Sequence, residues 1–428
     1  MKTIFKNANL IDGINPLKEN VSVIIEDNKI VDIISGDNLP EGTVIDCSNK
    51  YLMPGMINLH IHLFGTGMPS KILGGGSLQQ KVVKFAGTKL GKKVLAKIVE
   101  TNARNEFFSG VTTARTAGDF YYSDVELRDN INNGKIVGPT LYVSGPAITV
   151  PGGHGDGTIS ITGDTPEQIS EKVREVASHG VDHIKICITG GVMDAKKKGE
   201  PGELKMTTPF AKAACDTAHE LGLMVASHTE SPEGVQVAIE SKVDTIEHGS
   251  LIYDEDLVKL KEYGGAFVCT MSPALPLAKL DPEFTKLNPL CVYNSEVVFD
   301  NMVKGAIKLL ENDAKVGLGT DASCPLVTQY NTYMEVKYAG KFLNMSNLEA
   351  INTITMKNAE IIHREDEIGS IEVGKYADML LLDRNPLEDL DNLKDLEMII
   401  KRGEIYKDIT IKKNQKIEEQ LSNLFNSL

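Results

Sequence analysis

The sequence predicts an α/β protein, a (β/α)8 TIM barrel with a small β-sandwich domain built from both termini. Three observations lead there. Strand and helix signals alternate through the middle of the chain, both ends are strand-rich with glycine turns, and 428 residues suffice for one large barrel with a satellite domain. The expected boundaries are 1–52 for the first part of the sandwich, 53–363 for the barrel, 364–410 for the returning part of the sandwich and 411–428 for a C-terminal tail.

Near the N-terminus, TIFKNANLIDG, VSVIIEDNKIVDII and TVIDC alternate or run apolar, with Asp-Gly and Asp-Asn turns between them. GSIEVGKYADMLLLD and EMIIKRGEIYK repeat that texture near the other end. In the middle, Thr165 is a helix cap, Pro166 suits the first helical position and Gln168 completes a capping box. Ile169, Val173, Val176 and Ala177 then follow helical spacing, Gly180 stops the helix, and DHIKICI is a strand. The next unit caps at Thr208, starts at Pro209 and stops at Gly222 before the strand LMVASH. A third caps at Ser231, starts at Pro232 and leads to DTIEH. With MINLHIH, VTTART, TLYVSG, AFVCTM and KVGLGTD these make eight strands, and their alternation with helices implies a parallel sheet with right-handed crossovers. A doubly wound open sheet is the alternative, but no Gly-rich dinucleotide fingerprint follows the first strand. The tail KKNQKIEEQLSNLFNSL reads as a short helix.

Composition narrows the function. A net charge of -14 argues against a nucleic-acid partner, which needs clustered positive charge. No run of 18 apolar residues is present, so no membrane span is expected, and MKTIFKNANLIDG has neither an apolar signal core nor an Arg-rich amphipathic stretch. The six cysteines lie apart without CxxC spacing, as expected of a reduced cytoplasmic protein.

The polar residues at the predicted strand ends carry the chemistry, because a barrel of this kind works at the C-terminal ends of its strands. The first strand ends in His60 and His62, two residues apart and therefore on one face. The fourth carries Lys185 among isoleucines, the fifth ends in His228, the sixth in His248 and the eighth in Asp321. A single strand histidine is most simply a core residue. Four histidines and an aspartate at strand ends of one barrel point instead to a metal centre. Lys185 is costly to bury as an ammonium. It is either paired with a carboxylate or a metal-bridging ligand, which requires a carbamate formed with carbon dioxide, because an ammonium has no lone pair. Arg115, on the second strand, either binds a substrate anion or makes a salt bridge inside the barrel. His183 precedes the fourth strand and reads as ordinary, as do His179, His219 and His363. The Gly-rich stretch FGTGMPSKILGGGS after the first strand reads as a substrate lid.

This pattern resembles the amidohydrolase superfamily over nearly the whole chain. PGMINLHIH is similar to that family's first-strand metal motif, GVTTARTAGD to its second-strand segment, TIEHG to the sixth, GLGTDA to the eighth and IGSIEVGKYADMLLLD to the return into its split sandwich. With IKICITGG and PGGHGDG, the chain most resembles the imidazolonepropionase-like branch, which includes metal-dependent dipeptidases acting on Xaa-Pro and on Xaa-Arg or Xaa-Lys substrates. The resemblance implies that His60 and His62 bind a more buried metal ion, that His228 and His248 bind a more exposed one, and that Lys185, as a carbamate, bridges them. It also implies that Asp321 binds the buried ion and shuttles a proton, and that His154 in PGGHG contacts the substrate carbonyl. One position departs from the pattern. Where the Xaa-Pro dipeptidases carry a carboxylate-recognising tyrosine, HTES places Glu230, which either faces a basic substrate group or caps the following helix.

The expected activity is therefore hydrolysis of an amide-type C–N bond of a small-molecule substrate by a binuclear centre, most simply two Zn2+ ions activating a shared water. A prolidase-like dipeptidase or an N-acyl amino acid hydrolase fits this reading. A one-metal imidazolone or cyclic-amide hydrolase, or a deaminase, is the alternative that Lys185 discriminates. A non-catalytic binding protein on the same fold is the third reading; loss of a ligand would favour it, and all the metal-binding positions are intact. The resemblance also implies a homo-oligomer.

Overall fold

The computed structural model describes residues 2–36, 38–69 and 77–428. Five strands open the chain: β1 (Lys2–Leu10), β2 (Lys18–Glu26), β3 (Lys29–Ser35), β4 (Thr43–Asp46) and β5 (Tyr51–Pro54). Ten follow: β6 (Met56–Ile61), β7 (Val111–Thr116), β8 (Thr140–Tyr142), β9 (Ala147–Thr149), β10 (Ser160–Thr162), β11 (His183–Cys187), β12 (Met224–Thr229), β13 (Thr245–His248), β14 (Ala266–Cys269) and β15 (Lys315–Leu318). Three close it: β16 (Met379–Leu382), β17 (Leu396–Lys401) and β18 (Glu404–Tyr406). All eight expected central strands form, with β9 and β10 added between the third and fourth.

The chain groups into two compact units. One comprises Met1–Asn58, Asn105–Thr113 and Tyr330–Lys412, so the helices between Thr332 and Ile361 group with the terminal strands. Its sheet joins both ends of the chain in the order β18-β17-β16-β5-β1-β2-β3, with β4 also paired to β1. Its eight strands are joined in one hydrogen-bonded path, in which β1 pairs in parallel with β4 along Thr3–Lys6 and with β5 at Asn9–Leu10. Phe5, Val23, Leu52, Met379 and Ile400 share its buried core. The β2–β3 hairpin turns at Asp27, whose φ of 54° is one that Asp tolerates better than most residues.

The other unit comprises Leu59–Arg104, Ala114–Gln329 and Lys413–Leu428. Strands β10-β9-β11-β12-β13-β14-β15 form an all-parallel sheet, and β6-β7-β8 form a second, shorter one. The ladder is therefore not continuous around a closed barrel. Isolated bonds link the arcs: Thr320 N and Asp321 N donate to His60 O, His62 N donates to Ala322 O, and Asp182 N donates to Val143 O. Every residue of β11 is buried, as in a parallel strand covered on both faces.

The punctuation between strands follows the sequence with small shifts. Thr165 accepts from Gln168 N and starts the helix Pro166–Ser178, but the Gln168 amide oxygen accepts from Asp164 N, so the expected capping box is not made. The helix Thr208–Glu220 is capped by Thr207, one residue earlier than expected, while the Thr208 hydroxyl bonds Glu240. Ser231 accepts from Gly234 N and caps Pro232–Glu240 as expected. The C-terminal helix spans Gln415–Ser427. Among the described residues, no helix is long and apolar enough to cross a membrane.

Candidate metal centre and active site

His60 and His62 leave β6 on one face, and the protein fixes one nitrogen of each ring. His60 Nδ1 donates to Glu247 Oε2 at 2.6 Å, and His62 Nδ1 donates to Gly118 O at 2.6 Å. Their Nε2 atoms then face Asp321 Oδ1 at 3.5 and 3.2 Å. A histidine whose Nδ1–H is held by an acceptor presents the Nε2 lone pair, the form that binds a metal ion. Burial, and then the charge of Lys185, push the His60 pKa down to about 4, so that ring is neutral.

Asp321 reaches this pair because the turn after β15 is bonded to β6 by the amides of residues 320 and 321. Gly319 permits the approach: a Cβ there would lie 2.4 Å from His60 Cβ. Asp321 itself has φ 56°, a left-handed conformation uncommon outside glycine. His248 has φ 66°. Strict alternation would send Glu247 and His248 to opposite faces of β13. The left-handed backbone breaks that alternation, so Glu247 bonds His60 while the His248 ring lies 4.9 Å from the His60 ring.

His248 Nδ1 lies 2.7 Å from Thr270 Oγ1, and its Nε2 faces His228 Nδ1 at 2.9 Å. Burial holds both rings well below the ordinary imidazole pKa. Two neutral rings with facing nitrogens at that distance are suited to share one cation. Lys185 lies between Ile184 and Ile186, and its Nζ is buried with no hydrogen-bond partner. Burial lowers its pKa. An orphaned, desolvated amine fits a lysine that exists as a carbamate in the working protein, and it does not fit the ion-pair alternative.

His154, between β9 and β10, stacks on His228 with ring centroids 4.1 Å apart and planes 1° apart. Its Nδ1 donates to Asp194 Oδ2 at 2.5 Å, and Asp194 also accepts from Gly191 N. Burial opposes a charge on His154, but Asp194 outweighs it and raises the pKa. Glu230 does not cap the following helix, since Ser231 does. Its Oε2 accepts from Val192 N, and burial pushes its pKa up to about 8. Arg115 is not a substrate contact: its guanidinium donates to Leu59 O, Thr245 Oγ1 and Glu247 Oε1, so all three of its nitrogens are spent inside the barrel. His183 is the first residue of β11 rather than a residue before it, and it shares the Lys185 face.

His60, His62, His154, Lys185, His228, Glu230, His248 and Asp321 all line one cavity of about 440 Å³. Among the described residues, potential ligand atoms converge in two sets, each within 4.8 Å: His60, His248 and Asp321, and His228, Glu230 and His248. His248 thus belongs to both sets, and Glu230 joins the second, which the sequence reading had not included. Residues 70–76 of the expected lid segment lie outside the described residues.

The profile of the amidohydrolase family matches residues 51–406. The chain belongs to the amidohydrolase family. Enzymes of this family use divalent metal ions on small-molecule substrates, and this chain is a hydrolase acting on carbon–nitrogen bonds. It is 23% identical over 443 residues to ochratoxinase from Aspergillus niger, covering 95% of this chain and 86% of that one. It is 24% identical over 404 residues to imidazolonepropionase from Salinispora arenicola, covering 88% and 89%. A Bifidobacterium longum structure provisionally called a prolidase superposes with a TM-score of 0.87 at 32% identity, covering 99% of both chains. A Xaa-Pro dipeptidase with bound methionine superposes with a TM-score of 0.82 at 29% identity, covering 95% of this chain and 100% of that one. The relatives thus include both kinds that the sequence resembles.

Proposed function

We propose that this amidohydrolase is binuclear and hydrolyses an amide-type C–N bond of a small molecule. The observation that carries this reading is the buried, partnerless Lys185 Nζ beside His60, His62, His228, His248 and Asp321. His60, His62 and Asp321 would hold one divalent ion, His228 and His248 the other, with Lys185 as a carbamate shared between them and Zn2+ as the expected metal. When bound, such ions supply Lewis acidity toward a carbonyl oxygen and an activated water.

The chain's own groups do the rest. Asp321 accepts the proton of the attacking water and passes it to the departing nitrogen as the C–N bond breaks. His154, oriented by Asp194, donates to the oxygen that gains charge. The apolar walls exclude bulk water. Dipeptides and N-acyl amino acids are the first substrates to assay. The imidazolonepropionase relatives support a second reading with one metal ion, which does not need Lys185. Metal content and turnover of Lys185→Ala, measured with and without a short carboxylate such as propionate, separate the two. A binuclear enzyme loses an ion and its activity, with partial rescue by the added acid, whereas a mononuclear one keeps both. The six cysteines are unpaired, which supports a reducing, cytoplasmic setting for what we take to be a homo-oligomer.

A further inference from the structure

One wall of the cavity is built by two helices that pack against each other, Met271–Lys279 and Pro289–Leu310. The first presents Pro273, Ala274 and Leu277 to the cavity, and the second presents Ser295, Val298 and Met302. Positions i, i+3 and i+7 share one face of a helix, so the three residues of the second helix form a single stripe. The wall stands beside the second histidine pair. Thr270, whose hydroxyl bonds His248, immediately precedes the first helix. In the second helix Cys291, one turn before Ser295, donates its thiol to Val192 O, and Val192 N donates to Glu230.

Ser295 is the exception in this wall. Its neighbours there are apolar, yet it is fully buried and its Oγ has no hydrogen-bond partner among the described residues. A serine inside a helix commonly turns its hydroxyl to the carbonyl one turn back, and Ser295 makes no such bond. A buried hydroxyl left unpaired is costly, and native chains leave few of them. A trapped water needs two to four polar partners, which the apolar side chains of the wall do not supply. In a substrate cavity, the missing partner comes with the ligand.

We infer that this wall is a substrate subsite: the two helices take an aryl-sized apolar arm of the substrate, and Ser295 hydrogen-bonds a hydroxyl carried on that arm. A hydroxyl can meet the serine as donor or acceptor. The cavity, of about 440 Å³, has room for such an arm beside the reacting amide. The inference rests on the amide-hydrolase reading of this cavity and adds the part of the substrate that extends past His228 and His248.

Two sets of amides test it, each with a phenyl, a 3-hydroxyphenyl and a 4-hydroxyphenyl member. One set carries the ring on the amine side, as N-acetylphenethylamine and its hydroxylated forms. The other carries it on the acyl side, as N-methyl-3-phenylpropionamide and its hydroxylated forms. N-methylacetamide, which has no arm, is the reference. With the metal-loaded enzyme, the phenyl member of at least one set is expected to show kcat/KM at least about tenfold above the reference, because the ring is buried against apolar side chains. A hydroxylated member of that set should exceed its phenyl parent by about tenfold again. In Ser295→Ala this hydroxyl advantage should fall to about one. The melting temperature of substrate-free Ser295→Ala should not drop, because the substitution removes a hydroxyl that nothing in the protein bonds. Compounds that are not turned over are titrated into the metal-loaded enzyme by calorimetry. Hydroxyl-dependent binding that is lost in Ser295→Ala, without turnover of any compound, would refute the amide-hydrolase reading and leave the subsite standing. The inference is overturned if no aryl member outperforms the reference in turnover or binding, if no hydroxylated member exceeds its parent, or if the hydroxyl advantage survives Ser295→Ala. A lower melting temperature in Ser295→Ala overturns it too, since the partner of the hydroxyl would then lie within the protein.

Discussion

The two histidine pairs of the centre are held in different ways. His60 and His62 each donate from Nδ1 to a strong acceptor at 2.6 Å, one of them a carboxylate that also takes Arg115. Burial opposes the charge on Glu247, yet Arg115 and His60 hold its pKa well below the usual carboxylate range. His228 and His248 rest on weaker supports: His248 on the Thr270 hydroxyl, His228 Nε2 on Gly190 O at 3.3 Å, with the His154 ring stacked above. In the first pair His60 is fixed by a carboxylate and His62 by a short bond to a backbone carbonyl, while in the second the contacts are a hydroxyl, a longer carbonyl bond and a stacked ring. All four rings are buried and line the same cavity, so the difference between them lies in what holds the second nitrogen of each ring.

That contrast can be broken or sharpened by substitution. The largest effect is expected from Asp321→Asn, which removes the proton acceptor and should lower kcat by about 10²–10⁴-fold in steady-state assays. Glu247→Gln attacks the charged buttress. It leaves Arg115 buried without its counter-charge and should cost about 3–5 kcal/mol in thermal or denaturant unfolding. It should also weaken metal binding at the first pair by about 10–100-fold. Asp194→Asn acts on the other side. Because Asp194 raises the pKa of His154, the protonated ring is present at low pH and is lost as pH rises through that raised value. Without the carboxylate this loss moves to lower pH, so the alkaline limb of the kcat/KM profile should shift downward. Thr270→Ala should be the mildest. It frees His248 Nδ1 and should weaken metal binding by about tenfold, read by competition with a chelator, with little change in unfolding. A Thr270→Ala effect as large as that of Glu247→Gln would erase the contrast.

Much of this was legible in the sequence because it is written in local rules. Cap, proline and glycine spacing marks the helices before β12 and β13, and strand-end histidines mark the centre. What was not legible depends on contacts or conformations that spacing does not encode. Glu247 was missed because alternation turns it away from His248, and only the left-handed backbone at His248 brings both into use. Asp194 lies in the turn Val192–Asp194, and its meaning comes from His154, 40 positions away. Arg115 was left open between substrate and structure, and Glu247 decides it. The split of the strands into two arcs follows hydrogen-bond geometry at β8 and β15, where short strands end before a ladder can continue.

The bonds that hold the turn after β15 to the end of β6 join the first and last strands that contribute ligands, across some 260 positions of chain. A ribosome-bound chain that has already made His60 and His62 therefore cannot assemble the centre, because Asp321 and the bonds that orient it have not yet been synthesised. Topology of this kind folds late and slowly. It also acts as a safeguard: a partly made polypeptide offers passing metal ions only scattered imidazoles, and firm capture waits until the whole ring of strands is in place.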